Sequence, residues 1–185
     1  MVDELLKNGE KSMDEVIIAT KKAFAAIRTG RANPGLLDRI TVDYYGTPTP
    51  LHQLAGISAP EARLLVIQPW DKAAMKDIER AILASDLGLT PTNDGNVIRL
   101  GIPQLTEERR KQLVKVVKKE AEDHKIAIRN IRRELNEEVK KMEKDGDISE
   151  DESRRVLNEV QALTNRFVAD IDAIVDLKEK EILEI

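Results

Sequence analysis

The stretch from Thr106 to Lys144 contains neither proline nor glycine, and it limits the possible folds of this chain more than any other segment. Its apolar and semi-apolar residues recur in steps of three and four, which places them on one face of an α-helix. These residues are Leu113, Val117, Ala121, His124, Ile128, Ile131, Leu135, Val139 and Met142. Such a helix would extend about 55–60 Å. Because so long an amphipathic helix is unstable alone in water, we expect other helices to pack along it.

The charged residues of this predicted helix are segregated by sign. With Ile128 at zero and about 100° per residue, one side between roughly 40° and 140° is basic, although Glu122 and Glu143 interrupt it. Its members are Lys111, Lys115, Lys118, Lys125, Arg129, Arg132, Arg133 and Lys140. A basic face is what binding to a phosphate backbone requires. A solvated face with ion pairs four residues apart is the ordinary alternative, and segregation alone leaves both interpretations open.

Composition and charge exclude several classes of protein. Charged residues make up 35% of the chain and aromatic residues 3%, which favours helices packed through aliphatic faces. The net charge is −4, but residues 106–145 hold 13 basic and 10 acidic residues, whereas residues 147–185 hold 5 and 11. An anion-binding surface should therefore be local. The chain has no cysteine, which excludes disulfides and thiolate chemistry. Without a signal peptide or a membrane-spanning run, a cytoplasmic protein is expected.

Two further long helices are predicted, one at each end of the chain. Residues 2–29 have a helical apolar face, and Gly30 is placed to end that helix before Asn33-Pro34-Gly35. The last helix should begin at a capping box formed by Ser149 and Glu152. Its apolar face comprises Val156, Val160, Leu163, Phe167, Ile171 and Ile174.

Between the first two helices the hydrophobic period becomes that of β-strands. Strands are predicted at 39–45, 51–57, 63–68 and 96–102, with one helix at 72–85 capped by Asp71. Residues 46–50, 59–61 and 93–95 are predicted to be turns or loops because of their glycine, proline, asparagine and aspartate content.

The predicted fold class is α+β, with a discontinuous domain organisation. Residues 1–30 and 105–185 should form a long three-helix bundle, and residues 31–104 a small β/α/β domain inserted between the first and second helices. Short connections suggest a hinge rather than a fused interface. The predicted hinge residues are Thr29, Gly30, Arg31, Pro103, Gln104 and Leu105.

No group of residues typical of catalysis is present in the sequence. It lacks a glycine-rich phosphate loop, a nucleophile elbow and a zinc-protease motif. His52 and His124 are distant in sequence, and His124 is expected to be a packed or edge histidine of the long helix. Trp70, Tyr44 and Tyr45 are expected in the core of the inserted domain rather than as base-stacking platforms, because few basic residues surround them. We therefore expect a protein that is not an enzyme and that needs no cofactor or metal.

Several motifs resemble those of the bacterial ribosome recycling factor family. They occur in order over essentially the whole chain, and several long motifs in register are far more specific than one. The matching segments are Ile27–Pro34 (IRTGRANP), Asp43–Pro50 (DYYGTPTP), Ser85–Leu89 (SDLGL), Pro103–Arg110 (PQLTEERR) and Ile128–Arg133 (IRNIRR).

This resemblance implies an L-shaped protein of near-tRNA dimensions that binds the post-termination ribosome across its subunit interface. With elongation factor G and GTP hydrolysis by that factor, it would separate the subunits and release mRNA and tRNA. The family's bundle contacts large-subunit ribosomal RNA through arginines of the long second helix. Three of these arginines already belong to the basic face, so the resemblance favours RNA binding over a solvated face. The predicted rRNA-binding residues are Arg110, Lys118, Lys125, Arg129, Arg132 and Arg133.

Two rival functions remain at the level of sequence. One rival is a coiled-coil adaptor or chaperone-like bundle, which would bind a protein partner through its apolar faces. Such a protein would show no RNA association and little salt dependence. The chain is expected to be a monomer. A hydrolase on the inserted domain would need a cluster of converging polar residues, which the sequence does not show. Ribosome co-sedimentation at low and high salt would discriminate best among these alternatives.

Overall fold

A computed structural model describes residues 1–183 of the chain. The molecule is a helix-rich α+β protein that separates into two compact units. Within the described residues, one unit comprises residues 1–28 and 107–183, and the other comprises Thr29–Thr106. The helices and strands in chain order are α1 (Val2–Ala25), β1 (Thr41–Tyr44), β2 (Thr47–Pro50), β3 (Ala55–Glu61), β4 (Leu64–Pro69), α2 (Met75–Ala84), β5 (Pro91–Asn93), β6 (Ile98–Gly101), α3 (Glu107–Lys144) and α4 (Glu150–Leu183).

The long second helix predicted from the sequence is confirmed, because α3 runs without interruption over 38 residues. Gly146, with a φ of +80°, lets the chain reverse after α3. The predicted cap of the next helix is also present, since the Ser149 hydroxyl oxygen accepts from the Glu152 amide at 3.1 Å.

Contacts between the three long helices define how the helical unit is built. Helices α1 and α3 are antiparallel, since Gly9 lies against Leu135 and Thr20 bonds to His124. Helices α3 and α4 are also antiparallel, since Lys125 pairs with Asp172 and Arg132 bonds to Gln161. The core is mainly aliphatic, although it includes Phe24 and Phe167, and its fully buried members include Met13, Val117, Ile128, Val139, Val156, Val160 and Ile171.

The second unit contains two antiparallel sheets and one helix. Strands β1 and β2 form a hairpin whose two turn residues, Tyr45 and Gly46, both have positive φ. The other sheet has the order β3-β4-β6-β5. The core of this unit contains Val42 and completely buried residues from β4, β6 and α2. These residues are Leu65, Ile67, Ile78, Ile82, Ile98 and Leu100.

Proline explains where the strand predictions were wrong. Residues 47–50, predicted as a loop, form β2 with Pro48 and Pro50, and β5 begins with Pro91. Strand β3 continues through Pro60, at a place where its register against β4 shifts. All three strands lie at a sheet edge, where proline is tolerated because its nitrogen can face away from the neighbouring strand. Residues 51–53, predicted as part of a strand, form a short 3₁₀ turn.

The end of the first helix was also predicted wrongly. Helix α1 ends at Ala25, four residues before the predicted end at residue 29. Thr29 is already buried in the second unit, so the chain leaves the helix before reaching Gly30. Gly30 does have a φ of +78°, but it is not the residue that ends α1.

Within residues 1–183, no helix combines the length and apolarity needed to cross a membrane.

Candidate nucleic-acid interface

The outer part of the basic side of α3 is exposed to solvent. Its members fall at about 80–140° on a helical wheel and extend about 44 Å along the helix axis. They are Lys111, Lys115, Lys118, Arg129, Arg133 and Lys140. A row of cations of this length on one rigid helix can contact successive phosphates of a nucleic acid.

The inner part of the basic side lies against α4. Lys125 forms an ion pair with Asp172, and its side chain is only 19% exposed. Arg132 is half-buried, and its Nη1 donates to Oε1 of Gln161 at 3.3 Å. Both basic residues lie at about 40–60° on the wheel, where α4 packs. These α4 partners could not be predicted, because the side on which α4 packs cannot be read from α3 alone.

The exposed arginines differ in how much of their charge is neutralised. Arg129 forms an ion pair with Glu122 at 3.1 Å, and both side chains are about half exposed. Arg133 instead donates to the neutral side chain of Asn130 at 3.4 Å. Lys118 is exposed, and no ion pair to it is formed by residues 1–183. Lys118 and Arg133 therefore present uncompensated charge to an anion.

Arg110 does not share this face. It lies at about 0° on the wheel, in line with the buried Ile128, and is half-buried in the first turns of α3. Its Nε is buried and has no hydrogen-bond partner among the described residues. The five other predicted rRNA-binding residues are on the basic side, but Arg110 is not.

The opposite flank of α3 is acidic and faces α1 through His124. Nδ1 of His124 lies 2.9 Å from the Thr20 hydroxyl oxygen, and Nε2 lies 3.5 Å from a carboxylate oxygen of Glu120. The same hydroxyl donates to the carbonyl oxygen of Val16 at 2.7 Å or bonds to Nδ1 of His124, so Thr20 links its own helix to α3. His124 is thus a packed histidine, as predicted.

The prediction that the aromatic residues of the second unit lie in its core was wrong for Trp70 and Tyr45. Trp70 is 70% exposed and Tyr45 is 78% exposed, and only Tyr44 packs partly against the core. In β4 the inward positions are Leu65, Ile67 and Pro69, so the next residue, Trp70, takes the outward side of the alternation.

Two carboxylates organise loops of the second unit. Tyr44 donates its hydroxyl to Asp71 at 3.0 Å, which raises the pKa of Tyr44. Asp94 accepts from the Val97 and Asn96 amides and from Arg99, and these bonds lower the pKa of Asp94 to about 2. Within residues 1–183, no cluster of three or more His, Asp or Glu side chains could hold a metal ion.

Comparisons with known proteins agree over the whole chain. The family model described as "Ribosome recycling factor" matches residues 20–183. The chain is 60% identical to the ribosome-recycling factor of Geobacillus kaustophilus and 57% identical to that of Bacillus subtilis, over 185 residues and all of each chain. A solution structure of a ribosome recycling factor superimposes with a TM-score of 0.75 at 41% identity, covering 100% of this chain and 98% of that one. The Thermus thermophilus factor, described bound with Escherichia coli elongation factor G to the E. coli post-termination complex, gives a TM-score of 0.67 at 46% identity, covering 99% of both chains.

Proposed function

The chain belongs to the ribosome recycling factor family, and we propose that with elongation factor G it separates the subunits of the post-termination ribosome and releases mRNA and tRNA. It is a translation factor rather than an enzyme. It acts in the cytoplasm as a monomer. The helical unit, residues 1–28 and 107–183, holds large-subunit ribosomal RNA, and the inserted unit, residues 29–106, is moved by elongation factor G.

The observation that carries RNA binding is the exposed basic row on α3. Lys118 and Arg133 are about 22 Å apart along the axis and have no carboxylate partner among the described residues. Arg129 lies between them and can exchange Glu122 for a phosphate, since exposed ion pairs stabilise a protein little. Arginine is suited to this role because its planar fork can bind two phosphate oxygens at once.

A pair of lysines on α3 tests this function with a matched control. Lys118 and Lys141 are both exposed, but they lie at about 80° and 220° on the wheel. We expect Lys118→Ala and Arg133→Ala each to weaken ribosome binding in co-sedimentation. Each should also reduce the slope of log affinity against log salt by roughly 0.7–0.9. Lys141→Ala should change neither quantity.

Two outcomes would contradict the proposed interface. If Lys118→Ala and Lys141→Ala weakened binding equally, the effect would come from net charge and not from this face. If ribosome binding were insensitive to salt, the rival interpretation as an adaptor that binds protein helices would be favoured. Circular dichroism should show unchanged helicity in every variant, since exposed lysines contribute little to stability.

The connections between the units are proposed as the hinge: Thr29, Gly30, Arg31, Pro103, Gln104 and Leu105. Gly30 has positive φ, and a Cβ added there would lie 2.7 Å from Cγ of Leu105, so the two connections are packed together. Gly30→Val should keep ribosome binding within a few-fold but slow subunit splitting. Gly88→Val is the control, because Gly88 also has positive φ but has nothing within 4 Å of an added Cβ. Normal splitting by Gly30→Val would exclude a role for bending here.

A further inference from the structure

Arg132 bonds to a neutral amide on another helix. Among the described residues, no other member of the predicted rRNA-binding set does so. Its Nη1 donates to Oε1 of Gln161 on α4 at 3.3 Å. The amide nitrogen of Gln161 donates in turn to Oδ1 of Asn165 at 2.9 Å. The direction of these two hydrogen bonds is fixed, because a guanidinium group can only donate and must therefore face the oxygen of Gln161.

The neutral partner leaves the charge of Arg132 intact. Lys125, one heptad earlier on α3, is bridged to α4 by the carboxylate of Asp172, and Arg129 is paired with Glu122. Those contacts fix the side chains but also neutralise them. Gln161 fixes one N–H of Arg132 without adding negative charge, and the other four N–H groups of the guanidinium are left for further acceptors.

We infer that Gln161, held by Asn165, is a positioning residue for phosphate binding by Arg132. This inference rests on the proposed function. Holding the half-buried arginine before it meets RNA reduces the side-chain entropy that binding would otherwise cost. A carboxylate at position 161 would hold Arg132 equally well but would compete with the phosphate for the same charge.

The decisive variant is therefore Gln161→Glu, which has nearly the same shape as the wild-type side chain. We expect ribosome binding to weaken roughly five-fold at low salt, because an exposed ion pair of ordinary strength must be broken first. The urea midpoint should stay the same or rise slightly. Gln161→Ala should weaken binding less, since it removes the positioning contact and adds no competing charge.

Asn158→Asp serves as the charge control. Asn158 is exposed on α4, three residues before Gln161, and forms no described hydrogen bond with Arg132. This variant adds the same charge nearby without contacting the guanidinium. If it weakened ribosome binding as much as Gln161→Glu does, general repulsion would account for the result and the positioning role would be refuted.

The Arg132→Ala background separates this inference from the proposed function. If Arg132→Ala alone leaves ribosome binding unchanged, Arg132 does not bind RNA, and both its role in the interface and the role of Gln161 are refuted. If Arg132→Ala weakens binding and Gln161→Glu does not, only the positioning role is refuted. If Gln161 positions Arg132, Gln161→Glu weakens binding in the wild type and has almost no further effect when Arg132 is absent.

Discussion

Replacing Thr20 by valine should show how much the contact between α1 and α3 depends on one hydroxyl group. Thr20 is fully buried, and its hydroxyl oxygen lies 2.9 Å from Nδ1 of His124. Valine has the same shape but can neither donate nor accept a hydrogen bond. The ring nitrogen left without a partner costs about 1–3 kcal/mol of unfolding free energy. The His124 side chain is 18% exposed and can reach water, so we expect the low end, about 1 kcal/mol.

The bundle contains a matched control for this change. Thr164 is also buried, and its hydroxyl donates to the carbonyl oxygen of Val160, four residues earlier, at 2.8 Å. Thr20 makes the same bond to Val16 at 2.7 Å. Thr164 has no partner on another helix among the described residues, so Thr164→Val should change the unfolding free energy by no more than about 0.5 kcal/mol. The difference between the two variants isolates the contact with His124.

Urea unfolding followed by far-UV circular dichroism measures both costs. With a denaturant slope of about 2 kcal/mol/M, Thr20→Val should lower the midpoint by about 0.5 M and Thr164→Val by much less. In a His124→Leu background the effect of Thr20→Val should disappear. Equal midpoints for the two valine variants would refute the argument, because the hydroxyl of Thr20 would then contribute nothing beyond its bond to Val16.

Two other predictions concern stability. Alanine in place of glycine inside a helix usually stabilises by about 1 kcal/mol. At Gly9, however, the new Cβ would lie 2.6 Å from Cδ1 of Leu135, so overpacking should reverse the sign and cost up to about 2 kcal/mol net. Urea unfolding should show Gly9→Ala stabilising only when Leu135 is also alanine. Asp94 has a folded pKa of about 2, below its ordinary value of 3.8, so its stabilising effect is complete above about pH 4 and is lost as the pH falls towards 2. Asp94→Asn should therefore destabilise at neutral pH, and the difference from the wild type in amide exchange near Val97 and Arg99 should be much smaller at pH 2. An equal difference at both pH values would contradict this.

The helices could be predicted from the sequence because their signals are local and strong. The 3.6-residue period of α3, the stop at Gly146 and the cap at Ser149 depend on neighbouring residues alone. The proline-containing strands were missed, because a proline is compatible with a strand only at an edge, and edges are a property of the assembled sheet.

The candidate site could be predicted only in part. The basic face follows from spacing on one helix, but the partners of Lys125 and Arg132 lie on α4, 47 and 29 residues later in the chain. Which cations remain exposed thus depends on helix packing. Trp70 was misplaced because the scarcity of nearby basic residues argues against base stacking but does not decide burial, and here the alternation of β4 turns the side chain outward.

The prolines of the edge strands also affect how this molecule behaves among its own copies. An exposed edge strand offers unpaired N–H and C=O groups on which a strand from another chain can add, which is a route to aggregation. Both edges of the four-stranded sheet contain proline, Pro60 in β3 and Pro91 in β5, and β2 contains Pro48 and Pro50. Each proline removes one donor and interrupts the ladder that an incoming strand would need. The same residues that obscured the strands in the sequence therefore keep neighbouring molecules from joining their sheets.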